Sequence, residues 1–213
     1  MKKLTMLVIA ALLLVASACE KGENGRIGKL KWNLDNGMLT ISGKGEMPST
    51  YREYCRCYAP PWYEYHMYIE TAIVETGIIN IGDGAFWSCY NLTSVSIPNS
   101  VTRIGECAFS GCSRLNSVTI PSNVTSIDDA AFSGCSNLTT ITIPNSVVTI
   151  GNQAFSDCGS LTSIINLNPV PVAIDYSVFY AVDKSNCTLK VPIDAIPAYQ
   201  NTEVWKEFNI VGL

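Results

Sequence analysis

A period of 23 residues governs the centre of this chain. Residues 78–100 read IINIGDGAFWSCYNLTSVSIPNS, 101–123 read VTRIGECAFSGCSRLNSVTIPSN, 124–146 read VTSIDDAAFSGCSNLTTITIPNS and 147–169 read VVTIGNQAFSDCGSLTSIINLNP. Phe86, Phe109, Phe132 and Phe155 share one phase, Cys89, Cys112, Cys135 and Cys158 a second, and Leu92, Leu115, Leu138 and Leu161 a third. A unit this short cannot bury its own apolar side, so neighbours must stack into one continuous core. Within each unit the near alternation of Leu92-Thr-Ser-Val95-Ser-Ile97 predicts a short strand, ended by Pro98 and Asn99. Ile81, Ala85 and Phe86 are spaced for a single helical or 3-10 turn. The expected architecture is an α/β repeat solenoid, with a short parallel β-sheet on the concave face and helical or 3-10 turns on the convex face.

The pattern I-x-x-x-A-F-x-x-C-x-x-L-x-x-V-x-I-P resembles the BspA-like leucine-rich repeat of surface proteins from host-associated bacteria. The resemblance covers residues 78–169 and reaches outward in both directions. Trp32-Asn-Leu-Asp-Asn-Gly37-Met-Leu-Thr-Ile-Ser-Gly43 is similar to the strand pair that opens such proteins, and Pro61-Trp62-Tyr63 to the segment after it. Ile174 and Val178-Phe179 echo the repeat. Cys187-Thr-Leu-Lys-Val-Pro192, Tyr199 and Trp205-Lys-Glu-Phe208 resemble its terminal unit. The resemblance implies adhesion to host matrix proteins, other bacteria or host glycans, although a fold does not fix a ligand.

An open solenoid end would leave apolar side chains and strand edges in water, so caps are expected. Residues 28–77 are read as the N-terminal cap, built on a β-hairpin whose turn is Asp35-Asn36-Gly37. Residues 78–169 are four leucine-rich repeats. Residues 170–213 are a degenerate last repeat and C-terminal cap, with a helix around 195–208.

The first 18 residues read as an address. Lys2 and Lys3 precede the apolar run from Leu4, the small residues Ala16-Ser17-Ala18 follow, and then Cys19. The run is short of the ~20 residues that span a bilayer. A cysteine in this place marks a bacterial lipoprotein signal, with Cys19 acylated. Residues 19–27 then form a polar tether, and Glu20-Lys21-Gly22-Glu23-Asn24 loosely resembles the acidic export tag of surface-exposed lipoproteins. The expected location is the bacterial outer membrane, exposed on the cell surface and held through the N-terminal lipid only.

Composition narrows the function. The 213 residues carry a net charge of −4 with no strongly basic segment, which argues against nucleic acid as a partner. One histidine, His66, leaves little room for His-dependent catalysis. The sequence holds no G-x-S-x-G, H-E-x-x-H, Walker A or G-x-G-x-x-G motif. No catalytic residue, cofactor or metal is assigned, and a monomer is expected.

Five features could carry chemistry. The in-phase cysteines are either a disulfide or metal stack or, as preferred, free thiols packed as small hydrophobes. Cys107 breaks their phase, standing where other units have Gly84 or Ala130. Cys55 and Cys57, with His66, could supply three metal ligands but no evident fourth. Asp83, Glu106 and Asp129, with Asn152 fourth, could hold a cation, or could cap the outer turns; capping is preferred. Ser94, Ser96, Ser117, Thr119, Thr140, Thr142 and Ser163 should line the concave face, which suits weak or glycan-like hydrogen bonding or is simply a soluble sheet surface. Tyr51, Tyr54, Tyr58, Trp62, Tyr63 and Tyr65 crowd one segment, either as a contact patch or as a cover for the solenoid end. The resemblance, with the lipoprotein signal, implies an adhesin-like protein presenting a rigid surface to a protein or glycan on a host or neighbouring bacterial cell. The competing reading is a periplasm-facing structural or assembly component of an envelope complex.

Overall fold

The structure, a computed structural model, describes residues 22–49 and 60–213. The signal and lipidation reading at Cys19, Cys55, Cys57, and the candidates Tyr51, Tyr54 and Tyr58 lie outside the described residues.

The chain opens with β1 (Glu23–Ile27), β2 (Leu30–Asp35) and β3 (Met38–Ser42), paired antiparallel in that order. Asn36 and Gly37 both have positive φ, 46° and 77°, which is what a two-residue turn matched to strand twist requires. Residues 23–27, read from the sequence as part of a tether, are therefore the outer strand of the cap. Gly25 sits opposite Trp32, and a Cβ there would lie 2.6 Å from the indole nitrogen. The missing side chain lets the Trp32 ring cover the edge strand.

From β4 (Thr71–Val74) onward every pairing is parallel. The chain alternates between β5 (Asn80–Ile81), β7 (Arg103–Ile104), β9 (Ser126–Ile127) and β11 (Thr149–Ile150), and β6 (Ser94–Ser96), β8 (Ser117–Thr119), β10 (Thr140–Ile143) and β12 (Ser163–Asn166). It closes with β13 (Thr188–Val191) and β14 (Asn209–Gly212). Three sheets result, in the orders β1-β2-β3-β4-β6, β14-β13-β12-β10-β8 and β11-β9-β7-β5. The first two meet where β6 lies beside β8, so the face expected to be one sheet is two five-stranded ladders in line.

The convex side adds to the expected turns a sheet of two-residue strands of its own, and no continuous helix forms in the four repeats. The segments expected to be helical turns do make i to i+3 hydrogen bonds, such as Ala85 N–H to Gly82 and Cys89 N–H to Phe86. Left-handed residues interrupt them at two phases: Gly84, Cys107, Ala130 and Gln153, then Ser88, Gly111, Gly134 and Asp157. Each reversal turns an N–H sideways to the next coil. Gly84 donates to Glu106, Phe86 to Ala108 and Ser88 to Ser110. These amides bond between coils, so no helix propagates along the chain. Among the described residues, the last unit makes a true 3-10 helix on this side, Tyr176–Phe179.

The core follows the phases. Phe86, Phe109, Phe132, Phe155 and Phe179 stack with ring centres 5.1–5.5 Å apart and planes within 10°. Trp205 and Phe208 close this column edge-on at the C-terminal end. Trp62 is buried at the other end, and its indole N–H donates to the Ala85 carbonyl at 2.8 Å. The thiols make a parallel column: Cys112 donates to the Phe86 carbonyl at 3.1 Å, Cys135 to Phe109 at 3.3 Å and Cys158 to Phe132 at 3.3 Å. The in-phase cysteines Cys89, Cys112, Cys135 and Cys158 are buried free thiols, the reading preferred from the sequence. The backbone still needs partners at both ends. The Asn80 amide pairs with both the N–H and the C=O of Met47, standing in for a strand beside β5. At the far end the Tyr199 hydroxyl donates to the Asn168 carbonyl and Trp205 to that of Val172. The helix expected around 195–208 is broken into turns, with α1 (Ile196–Gln200) between 3-10 segments.

Candidate binding surface

The seven hydroxyl candidates come together. Thr140 stands between Ser117 and Ser163, and Thr142 between Thr119 and Ile165, with their side chains on the open side of the sheet. Ser94 and Ser96 continue the rows on β6, both exposed. The rows run on beyond these residues to Thr71 and Ile73 on β4 and to Thr188 and Lys190 on β13. Between β4 and β12 the face carries no charge. Its hydroxyls can donate and accept, but offer little area for tight contact.

The aromatic candidates separate. Trp62 is 1% exposed and belongs to the core, so it cannot meet a ligand. Tyr65 is half-buried, with its ring 6.1 Å from Trp32 inside the cap. Tyr63 turns outward. Its ring stacks on His66 at 4.6 Å and on Trp87 at 5.7 Å, and His66 meets Tyr90 edge-on at 6.2 Å. Tyr90 is 44% exposed and the other three are half-buried. The His66 ring is locked as well, because Nδ1 lies 2.7 Å from the Tyr63 carbonyl and must donate to it. The result is a rigid four-ring platform. Tyr90 is four residues from Ser94, so the platform borders the hydroxyl face within about 13 Å of chain.

Trp87 and Tyr90 were missing from the sequence candidates, and phase would have found them. Trp87 stands where the other units have Ser110, Ser133 and Ser156, and Tyr90 where they have Ser113, Ser136 and Gly159. Aromatics replace small polar residues in the first repeat alone, beside the cap.

Asp83 and Asp129, two members of the acidic row, link neighbouring coils, a role the capping reading did not give them. Asp83 Oδ1 accepts the N–H of Glu106 at 2.9 Å, and Asp129 Oδ1 that of Asn152 at 2.7 Å. Asp83 and Asp129 therefore each satisfy a backbone amide of the next coil. The cation here is Arg103, 2.8 Å from Asp83 and 2.5 Å from Asp128. Burial raises the Glu106 carboxyl above its ordinary pKa, and Asp83, Asp129 and Asp128 push the same way. Among the described residues no group of His, Cys, Asp and Glu is placed to hold a metal ion.

Residues 65–202 match six copies of the BspA type leucine rich repeat region. No curated protein matches the chain. Among solved structures, a leucine-rich repeat protein from Eubacterium ventriosum shares 26% identity, with a TM-score of 0.56 over 81% of this chain and 54% of that one. The pneumococcal vaccine antigen PcpA has a TM-score of 0.59 at 14% identity, over 85% of this chain and 47% of that one, a likeness of fold alone. The chain thus spans about half the length of these two proteins.

Proposed function

Since the chain belongs to the BspA-type leucine-rich repeat family, we propose that it is a lipid-anchored, cell-surface binding protein that presents a rigid repeat surface to a host protein, glycan or neighbouring cell. The platform of Tyr63, His66, Trp87 and Tyr90 carries this reading. Half-exposed rings held by mutual stacking lose little entropy on binding, and each offers an apolar face with a polar edge. The uncharged hydroxyl rows beside them add hydrogen bonds over a wider area. Membership in a leucine-rich repeat family supports reading the surface as a scaffold for contact. Among the described residues no helix is long and apolar enough to cross a membrane. Acylated Cys19 would supply the attachment, and many copies on one cell would raise a modest affinity by avidity.

The experiment is a binding screen of residues 20–213, clustered on beads, against matrix proteins, mucins and glycan arrays. A hit is expected, and Trp87→Ser with Tyr90→Ser should weaken it at least tenfold, about 1.4 kcal/mol. The replacements are the serines of the other repeats, so thermal stability should change little. Unchanged binding by the double variant would remove the platform from the function.

Location is tested separately. Protease treatment of intact native cells should remove this chain while a periplasmic lipoprotein survives. Protection until lysis would place it behind the outer membrane and favour an assembly role.

A further inference from the structure

We propose that the outward face of the N-terminal cap is a second binding site, specific for an anionic glycan, meaning a polysaccharide that carries sulfate or carboxylate groups. Its cations are Arg26 on β1 and Lys31 on β2, which stand directly opposite one another in the antiparallel ladder. Both are exposed. Like charges in that relation repel and weaken a hairpin. No ion pair is made by either side chain among the described residues. Cross-strand Cβ atoms sit about 5 Å apart, so both heads reach one anionic group.

The surroundings fit a sugar. The same face forms a recess of about 410 Å³, whose wall continues through Asn24, Asn33, Thr40 and Ser42. Asn24 pairs with Asn33, and Asn33 with Thr40, so a row of amides and a hydroxyl runs beside the two cations. Amides and hydroxyls both donate and accept, as sugar hydroxyls require. The row leads from Thr40 to Ile73 and Ser96, on to the hydroxyl face already described. A chain of sugars could follow that line. Lys29 and Lys44 lie at the same end of the cap and add to the positive field. Two acids share the face at a distance. Asp35 is at the opposite end of β2, about 13 Å from Lys31. Glu75 follows β4 beyond Ser42, two strand spacings or about 10 Å from Lys31.

The site is independent of the aromatic platform, and the test keeps the two apart. Residues 20–213 are titrated by calorimetry with a size-defined heparin oligosaccharide, its desulfated form and a hyaluronan oligosaccharide. Vesicles of phosphatidylcholine containing phosphatidylglycerol are tested alongside by sedimentation. Heparin oligosaccharide should bind, hyaluronan more weakly and the desulfated sugar least. Affinity should fall as salt rises from roughly 50 to 300 mM. Arg26→Gln with Lys31→Gln should weaken binding about tenfold or more. Asn24→Ala with Asn33→Ala, which keeps both charges, should also weaken it. Lys206→Gln, a remote exposed charge, should leave it unchanged. Thermal unfolding of each variant confirms the fold. The proposal is overturned if no anionic sugar binds, if the Arg26/Lys31 variant binds as the parent does, or if vesicles compete with the oligosaccharide on equal terms.

Discussion

Raising the pH from 9 to 10.5 should strip this protein of roughly half its stability or more, and the buried thiols are the cause. Cys89 and Cys158 are pushed up to about 12 by burial, and Cys112 and Cys135 well above the ordinary thiol value, again by burial first. In the unfolded chain the same thiols ionise near 9. Between these values the unfolded state binds fewer protons than the folded one, so stability is full below pH 9 and falls as pH rises. Each thiol removes about 1.4 kcal/mol per pH unit once well above 9. Four together remove about 6–7 kcal/mol by pH 10.5, against a typical total of 5–15 kcal/mol. Burial raises the Tyr199 hydroxyl too, which adds to the same trend. Denaturant unfolding under reducing conditions at pH 8, 9, 10 and 10.5 measures the slope. Cys112→Ala with Cys135→Ala should roughly halve it. A flat profile to pH 10.5, or an unchanged slope in that variant, would show that the column does not control alkaline stability.

The second large effect is expected at Phe132. Its ring lies between Phe109 at 5.2 Å and Phe155 at 5.5 Å, and it is fully buried. Phe132→Ala should cost about 3–5 kcal/mol, because a ring-sized void opens in a column that cannot close over it. Two aromatic contacts vanish with the ring, each worth about 0.5–1.5 kcal/mol beyond its area. Phe132→Leu keeps most of the volume and should cost far less, since volume-conserving changes in a core are tolerated best. In a solenoid each coil is held by its neighbours, so a void in the middle also weakens the coupling between the two halves. Denaturant unfolding followed by circular dichroism should then show a lower midpoint and a broader transition. A loss below about 1.5 kcal/mol would mean that the column is less tightly packed than its geometry implies.

Much of this architecture was legible because equal coils place like residues above one another. The phases of Phe86, Cys89 and Leu92 each became a column, and the outward positions Ser94 and Ser96 became rows. The convex side was less legible. Ile81, Ala85 and Phe86 are spaced as in a helical turn, but the left-handed conformations at Gly84 and Ser88 redirect hydrogen bonds between coils. Left-handed backbone at Cys107, Ala130 and Gln153 leaves no composition signal, since none of the three is glycine. The link that Asp83 and Asp129 make between coils was hidden for a related reason. A carboxylate near the start of a turn suits its own turn or the next coil equally well by sequence, and only the stacking distance shows the second.

The period of 23 by itself determined that the chain stacks, which residues meet their counterparts one coil away, and where the hydroxyl face lies. That follows because each coil repeats the backbone path of the one before it. The cap does not repeat, and there sequence spacing loses its power. Trp62 and Tyr63 are adjacent residues of similar character, yet one ring closes the core and the other stacks on Trp87 at the surface. The facing of Arg26 and Lys31 likewise depends on a hairpin register set by Gly28 and its turn. Only the tertiary structure decided these, because the space left under the first coil and the pairing of its strands choose which side chain turns inward.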